Sequence, residues 1–193
     1  MQTPAILAFA GSTRAASLNK LLVSEAAVLA SAAGARVTQI DLADYPLPLY
    51  DGDLEEEQGL PDNARKLKTQ MIEHNGFLIA APEHNGGITA VLKNAIDWVS
   101  RPQPDEPPLI AFRGKSAALI SASPGSTGGL RGLVIVRMIL GNLGVLLVPE
   151  QKTIPRANQA FDDAGRLNEQ QDRDAVRAVT DKLVALTGQL ISN

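Results

Sequence analysis

Two kinds of apolar pattern take turns along the chain. Short, nearly continuous apolar runs occupy residues 5–10, 77–81, 115–120 and 145–148, with a mixed run at 36–41. Their length and continuity are those of strands covered on both faces. Between them lie stretches of helical spacing: Leu21, Leu22, Ala26 and Leu29 up to Gly34, then Ala64, Leu67, Met71 and Ile72, opened by Pro61 and stopped at His74-Asn75-Gly76. Further helices are predicted over 88–99, 130–143 and 168–190. Five strands alternating with helices predict a five-stranded parallel sheet in a three-layer α/β/α sandwich, formed as a single domain over residues 1–193. The stretch 42–60, with Pro46, Pro48, Gly52 and Gly59, reads as a long loop, 101–108 as a proline-rich connection, and 149–167 as irregular chain.

The polar turns behind three of the strands hold the candidate chemistry. The first, Gly11-Ser12-Thr13-Arg14-Ala15-Ala16-Ser17-Leu18-Asn19, joins a strand to a helix N-terminus. Unpaired amides and the positive helix end favour an anion there. Ser12, Thr13, Ser17, Asn19 and Arg14 add hydroxyl, amide and guanidinium donors. With only Gly11 of a G-x-G-x-x-G fingerprint and no Walker lysine, a dinucleotide or triphosphate fits poorly, and a terminal monophosphate fits well. Ser12 and Ser17 serve equally well as helix caps on this evidence alone. The second turn, Pro82-Glu83-His84-Asn85-Gly86-Gly87, and the third, Ser121 to Gly129, fall on the same edge of the expected sheet, where ligands of open α/β folds bind.

Composition narrows the partners. The chain has 193 residues, 45% of them hydrophobic and 20% charged, with a net charge of −3 and no basic stripe, so nucleic acid is not expected. The opening Met1-Gln2-Thr3-Pro4 has no basic leader region and no run approaches a bilayer span, which predicts a cytoplasmic protein with no membrane partner. There is no cysteine, so redox chemistry requires a bound cofactor. His74 and His84 are too few and too far apart for a typical zinc site, and no metal is expected.

In order along the chain, G-S-x-R-x-x-S-x-N at 11–19, P-E-H-N-G at 82–86, K-N-A-I-D-W at 93–98 and S-P-G-x-x-G-G at 123–129 resemble the NAD(P)H-dependent FMN reductases, whose fold is flavodoxin-like. The likeness covers roughly residues 5–150. It implies FMN as cofactor and NAD(P)H as co-substrate. It implies that Ser12, Arg14, Ser17 and Asn19, with Leu18 between them, hold the FMN phosphate. It implies that Pro82, Glu83, His84, Asn85 and Gly86 border the isoalloxazine ring, with Ser121, Ser123 and Gly125 approaching from the next turn. The family usually carries tyrosine at the position of His84, and a histidine, unlike a tyrosine, changes charge near neutrality. No side chain is needed as a catalytic acid or nucleophile, because the flavin does the chemistry. Electrons then pass to a small-molecule acceptor such as a flavin, quinone, azo compound or metal oxyanion. Two alternatives stand beside the enzyme: a non-enzymatic flavin-binding protein, and a flavodoxin-like one-electron carrier, which shares the phosphate loop but commonly has planar aromatics at the flavin, where this chain is only 4% aromatic.

The helix over 130–143 is apolar almost all round, with Leu130, Leu133, Val134, Ile135, Val136, Met138, Ile139 and Leu140. A sheet covers one side of such a helix, so a homodimer or homotetramer is expected to cover the other.

Overall fold

The computed structural model describes residues 2–192, so Met1 and Asn193, the ends of the expected domain, lie outside it. Five strands form one parallel sheet: β1 (Ala5–Ala10), β2 (Arg36–Gln39), β3 (Gly76–Ala80), β6 (Ser116–Ala122) and β7 (Leu146–Ile154). A separate two-stranded hairpin pairs β4 (Glu83–His84) with β5 (Gly87–Ile88). The helices are α1 (Leu18–Ala32), α2 (Gly52–Gln58), α3 (Asp62–Glu73), α4 (Ala90–Val99), α5 (Leu130–Asn142) and α6 (Gln170–Ile191). The sheet order is β2-β1-β3-β6-β7, all parallel. Its direction of winding reverses between β1 and β3, which opens a crevice at the carboxyl ends of those strands.

β1, β3 and β6 are buried along their whole length, as continuous apolar runs require. Side chains alternate across the sheet. Ile6, Ala8, Leu78, Ala118 and Ile120 face the layer of α1 and α6, while Leu7, Phe9, Phe77, Ile79 and Leu119 face that of α3, α4 and α5. The three-layer α/β/α expectation holds.

Three expectations change. The long loop contains α2, started by Asp51, whose carboxylate accepts the amide of Asp53 at 2.9 Å. The helix expected from residue 88 begins at Ala90, because Gly87 and Ile88 are committed to the hairpin. The last strand continues to Ile154 instead of stopping at 148. Pro149 is tolerated because β7 is an edge strand and bulges there: Ala117 pairs with Leu147, but Leu119 pairs with Gln151.

Candidate active site

The turns after β1, β3 and β6 meet at the crevice. Gly11 begins the first of them, and a Cβ on it would lie 2.9 Å from Leu92 Cδ2, so any side chain there would force Leu92 of α4 to shift. Thr89, buried at the N-cap of α4, donates its hydroxyl to Gly11 O at 2.7 Å and accepts the Leu92 amide at 3.3 Å. One side chain thus ties the first turn to the helix behind the second. A threonine just ahead of an apolar helical run was the signal for it, hidden by placing the helix start two residues early.

Nine of the expected residues line one cleft of about 140 Å³: Ser12, Arg14, Ser17, Leu18, Asn19, Pro82, Glu83, His84 and Ser123, joined by Ala122 and Pro124. That volume is below the roughly 300 Å³ of a whole small-molecule pocket, so the cleft suits one end of a ligand that continues across the open rim. Larger cavities exist, one of about 620 Å³ between Pro4 and α6, but Pro4 precedes β1 and that cavity lies at the opposite sheet edge.

The cleft is lined by donors that the fold leaves unspent. Ser17 stands at the N-cap of α1 yet its side chain makes no capping hydrogen bond. Among the described residues, no protein acceptor takes the amides of Leu18 and Asn19 in the first turn of α1, the place where a helix leaves its amides unsatisfied. Arg14 is exposed, and its guanidinium is in no ion pair among the described residues. Ser12 accepts the Arg14 amide at 3.2 Å, which shapes the turn. Three kinds of donor and one positive charge line this space, a set that suits an anion.

Asn19 departs from expectation. Its carboxamide donates to Ala122 O at 2.7 Å and accepts the Ala122 amide at 3.0 Å, so the side chain staples α1 to the end of β6. What Asn19 offers the cleft is its backbone amide. Ser121 also departs: fully buried within β6, it donates to Ala81 O at 2.8 Å and is not part of the cleft. Gly125 and the two turn residues Asn85 and Gly86 lie outside the cleft as well.

Asn85 and Gly86 form the two-residue loop of the β4–β5 hairpin, with φ of 52° and 79°. Positive φ at both positions is the type I′ geometry that Asn-Gly favours most strongly, and the dipeptide itself was the overlooked signal. Glu83, expected at the flavin, turns its carboxylate to the start of α5. Oε2 accepts the amides of Arg131 at 3.0 Å and Gly132 at 3.3 Å, and Oε1 pairs with the Arg131 guanidinium at 2.6 Å. Burial acts to raise this carboxyl, but Arg131 and the two amides outweigh it and hold it below the ordinary glutamate range, so it stays ionised.

The model of the family described as NADPH-dependent FMN reductase matches residues 4–159. The chain belongs to the NADPH-dependent FMN reductase family. It is 37% identical to the NAD(P)H-dependent FMN reductase PA1204 of Pseudomonas aeruginosa over 175 residues, 89% of each chain. It is 34% identical to the NAD(P)H:quinone oxidoreductase of Solanum tuberosum, over 93% of this chain and 91% of that one. Among solved structures, the flavoenzyme NAD(P)H:(acceptor) oxidoreductase FerB from Paracoccus denitrificans superposes with a TM-score of 0.79 at 24% identity, over 97% of this chain and 98% of that one, and supports the fold. As a member of this family the protein is a flavin-dependent oxidoreductase that uses FMN and NAD(P)H. Among the described residues no helix is long and apolar enough to cross a membrane, and no group of acidic and histidine side chains is arranged to hold a metal.

Proposed function

We propose that the cleft between the first and third turns holds the FMN phosphate, and that the protein passes hydride equivalents from NAD(P)H to a small quinone or flavin in the cytoplasm, where the reduced coenzymes are held. The observation that carries this reading is Ser17, an N-cap residue that does not cap. Its free hydroxyl, the Leu18 and Asn19 amides and the Arg14 guanidinium match the several acceptor oxygens and the negative charge of a terminal phosphate. The reductase names of the relatives support an enzyme over a one-electron carrier.

The chemistry that bound FMN supplies is hydride acceptance from NAD(P)H followed by release to the acceptor. The chain's own residues bind and orient. Ser12, Ser17 and Arg14 fix the phosphate end, and Pro82, Ser123 and Gly125 flank the way toward the ring. The backbone of Asn85 and Gly86, with the positive end of α4 behind it, favours negative charge growing beside the turn. Glycines, serines and amides suffice, because no side chain has to move a proton.

The outward face of α5 supports a homodimer or a dimer of dimers. Leu133, Val136 and Leu140 are buried, while Leu130, Val134 and Met138, one turn apart, are 44%, 59% and 60% exposed. Leu146 on β7 is 50% exposed as well. A second copy supplies the apolar cover.

A direct test compares FMN with riboflavin, which lacks the phosphate, by fluorescence titration. FMN is expected to bind at least about tenfold more tightly, the smallest effect of one lost charge-assisted hydrogen bond. Equal affinities would overturn the phosphate assignment.

A further inference from the structure

We infer that Glu83 is a positioning residue, which with Arg131 clamps the β4–β5 hairpin onto α5 and thereby sets where the Asn85–Gly86 turn stands. This rests on the reading of that turn as the border of the flavin ring.

The hairpin cannot place itself. Each of its strands is two residues long, and only Glu83 with Ile88 and His84 with Gly87 are paired. A two-stranded ribbon of that size is not stable alone and takes its position from what it packs on. Here that support is α5. A Cβ on Gly132 would lie 3.3 Å from Glu83 Cα and 3.3 Å from Gly87 O, so the helix backs directly onto both strands through a residue without a side chain.

Across this close contact the Glu83 carboxylate is the fastener. Its side chain is only 7% exposed, and it spends both oxygens on α5: two backbone amides of the first turn and the Arg131 guanidinium. An ionised carboxylate at a helix N-terminus also meets the positive end of the helix dipole. The helix start is itself fixed. Gly129 has φ of 95°, and a Cβ there would sit 2.1 Å from Ser121 Oγ, so α5 begins pressed against β6. The line of support runs from β6 through Gly129 to α5, then through Glu83 to the hairpin.

The test uses Glu83→Gln and Arg131→Ala, read in two ways. Glutamine keeps the shape but has one acceptor oxygen, and its amide group faces the guanidinium that the carboxylate attracted. Without flavin, the expected result for Glu83→Gln is hydrogen exchange faster by about tenfold or more in the hairpin over 83–88, the scale of lost charge-assisted hydrogen bonds, while exchange in β1 and β3 stays unchanged. With FMN bound, the rate of flavin reduction at saturating NADPH falls about tenfold while the KM for NADPH and the FMN affinity change less than about threefold, as a misplaced turn with an intact phosphate site requires. Arg131→Ala, whose side chain is exposed and whose loss leaves the two amide bonds in place, shows the same pattern at about threefold, and Arg131→Lys recovers part of it. If Glu83→Gln does not fold, Arg131→Ala decides by the same readouts. Exchange and reduction within twofold of the native protein in the folded variants would overturn the clamp. A native protein that never reduces FMN would overturn the flavin reading instead, and the flavin-free exchange would still decide the clamp.

Discussion

Replacing Arg14 by alanine isolates the phosphate site from the rest of the protein. The guanidinium is exposed and pairs with no carboxylate among the described residues, so its removal breaks nothing in the fold and the melting temperature is expected to stay put. Its effect then falls on ligand alone. A hydrogen bond to a charged group contributes about 1.5–3 kcal/mol, and exposure to solvent and salt places Arg14 in the lower half of that range. At about 1.5–2 kcal/mol, FMN affinity falls roughly ten- to thirtyfold. Riboflavin offers Arg14 no phosphate, so its affinity is expected to be the same in both proteins. Titrating each flavin into each protein by fluorescence quenching closes the cycle, and raising the salt concentration should shrink the FMN difference without touching riboflavin. If Arg14→Ala bound FMN as tightly as the native chain, or lost both flavins equally, the guanidinium would not be on the phosphate.

Val134→Glu puts a charge in the exposed α5 stripe between Leu130 and Met138 and is expected to shift light-scattering mass from dimer or tetramer to monomer at micromolar concentration; an unchanged mass would remove α5 from the interface. Burial lowers the Lys115 ammonium from 10.5 to about 8. Above about 8 the folded chain releases a proton that the unfolded chain keeps until about 10.5, so stability from this group rises across that window. Urea melts at several pH values should show the rise in the native protein and its loss in Lys115→Met.

The parts of this molecule written locally were legible in the sequence. β1, β3 and β6 announce themselves as apolar runs, and the helices between them by spacing, because each is decided by burial of neighbouring residues. The donors of the first turn were legible for the same reason: Ser12, Arg14 and Ser17 sit on one short segment whose place at a helix N-terminus follows from the pattern. What escaped was set by distant partners. Nothing near Asn19 says that its amide is taken by Ala122, 103 residues away, nor does anything near Glu83 point to Arg131, 48 residues on. Ser121 looked like turn because serine is common there, yet it continues β6 and disappears beneath Gly129. The hairpin and the longer β7 were missed for a different reason. Period-2 alternation needs more residues than β4 and β5 have, and Pro149 reads as a strand end unless the bulge on an edge strand is known.

The most direct test of the account is anaerobic mixing of the FMN-loaded protein with NADPH, and separately with NADH, followed by a quinone. At least one coenzyme is expected to bleach the flavin's visible absorbance in a single turnover, and the quinone to restore it. Flavin absorbance that neither coenzyme changes, in a protein shown to hold FMN, would contradict it.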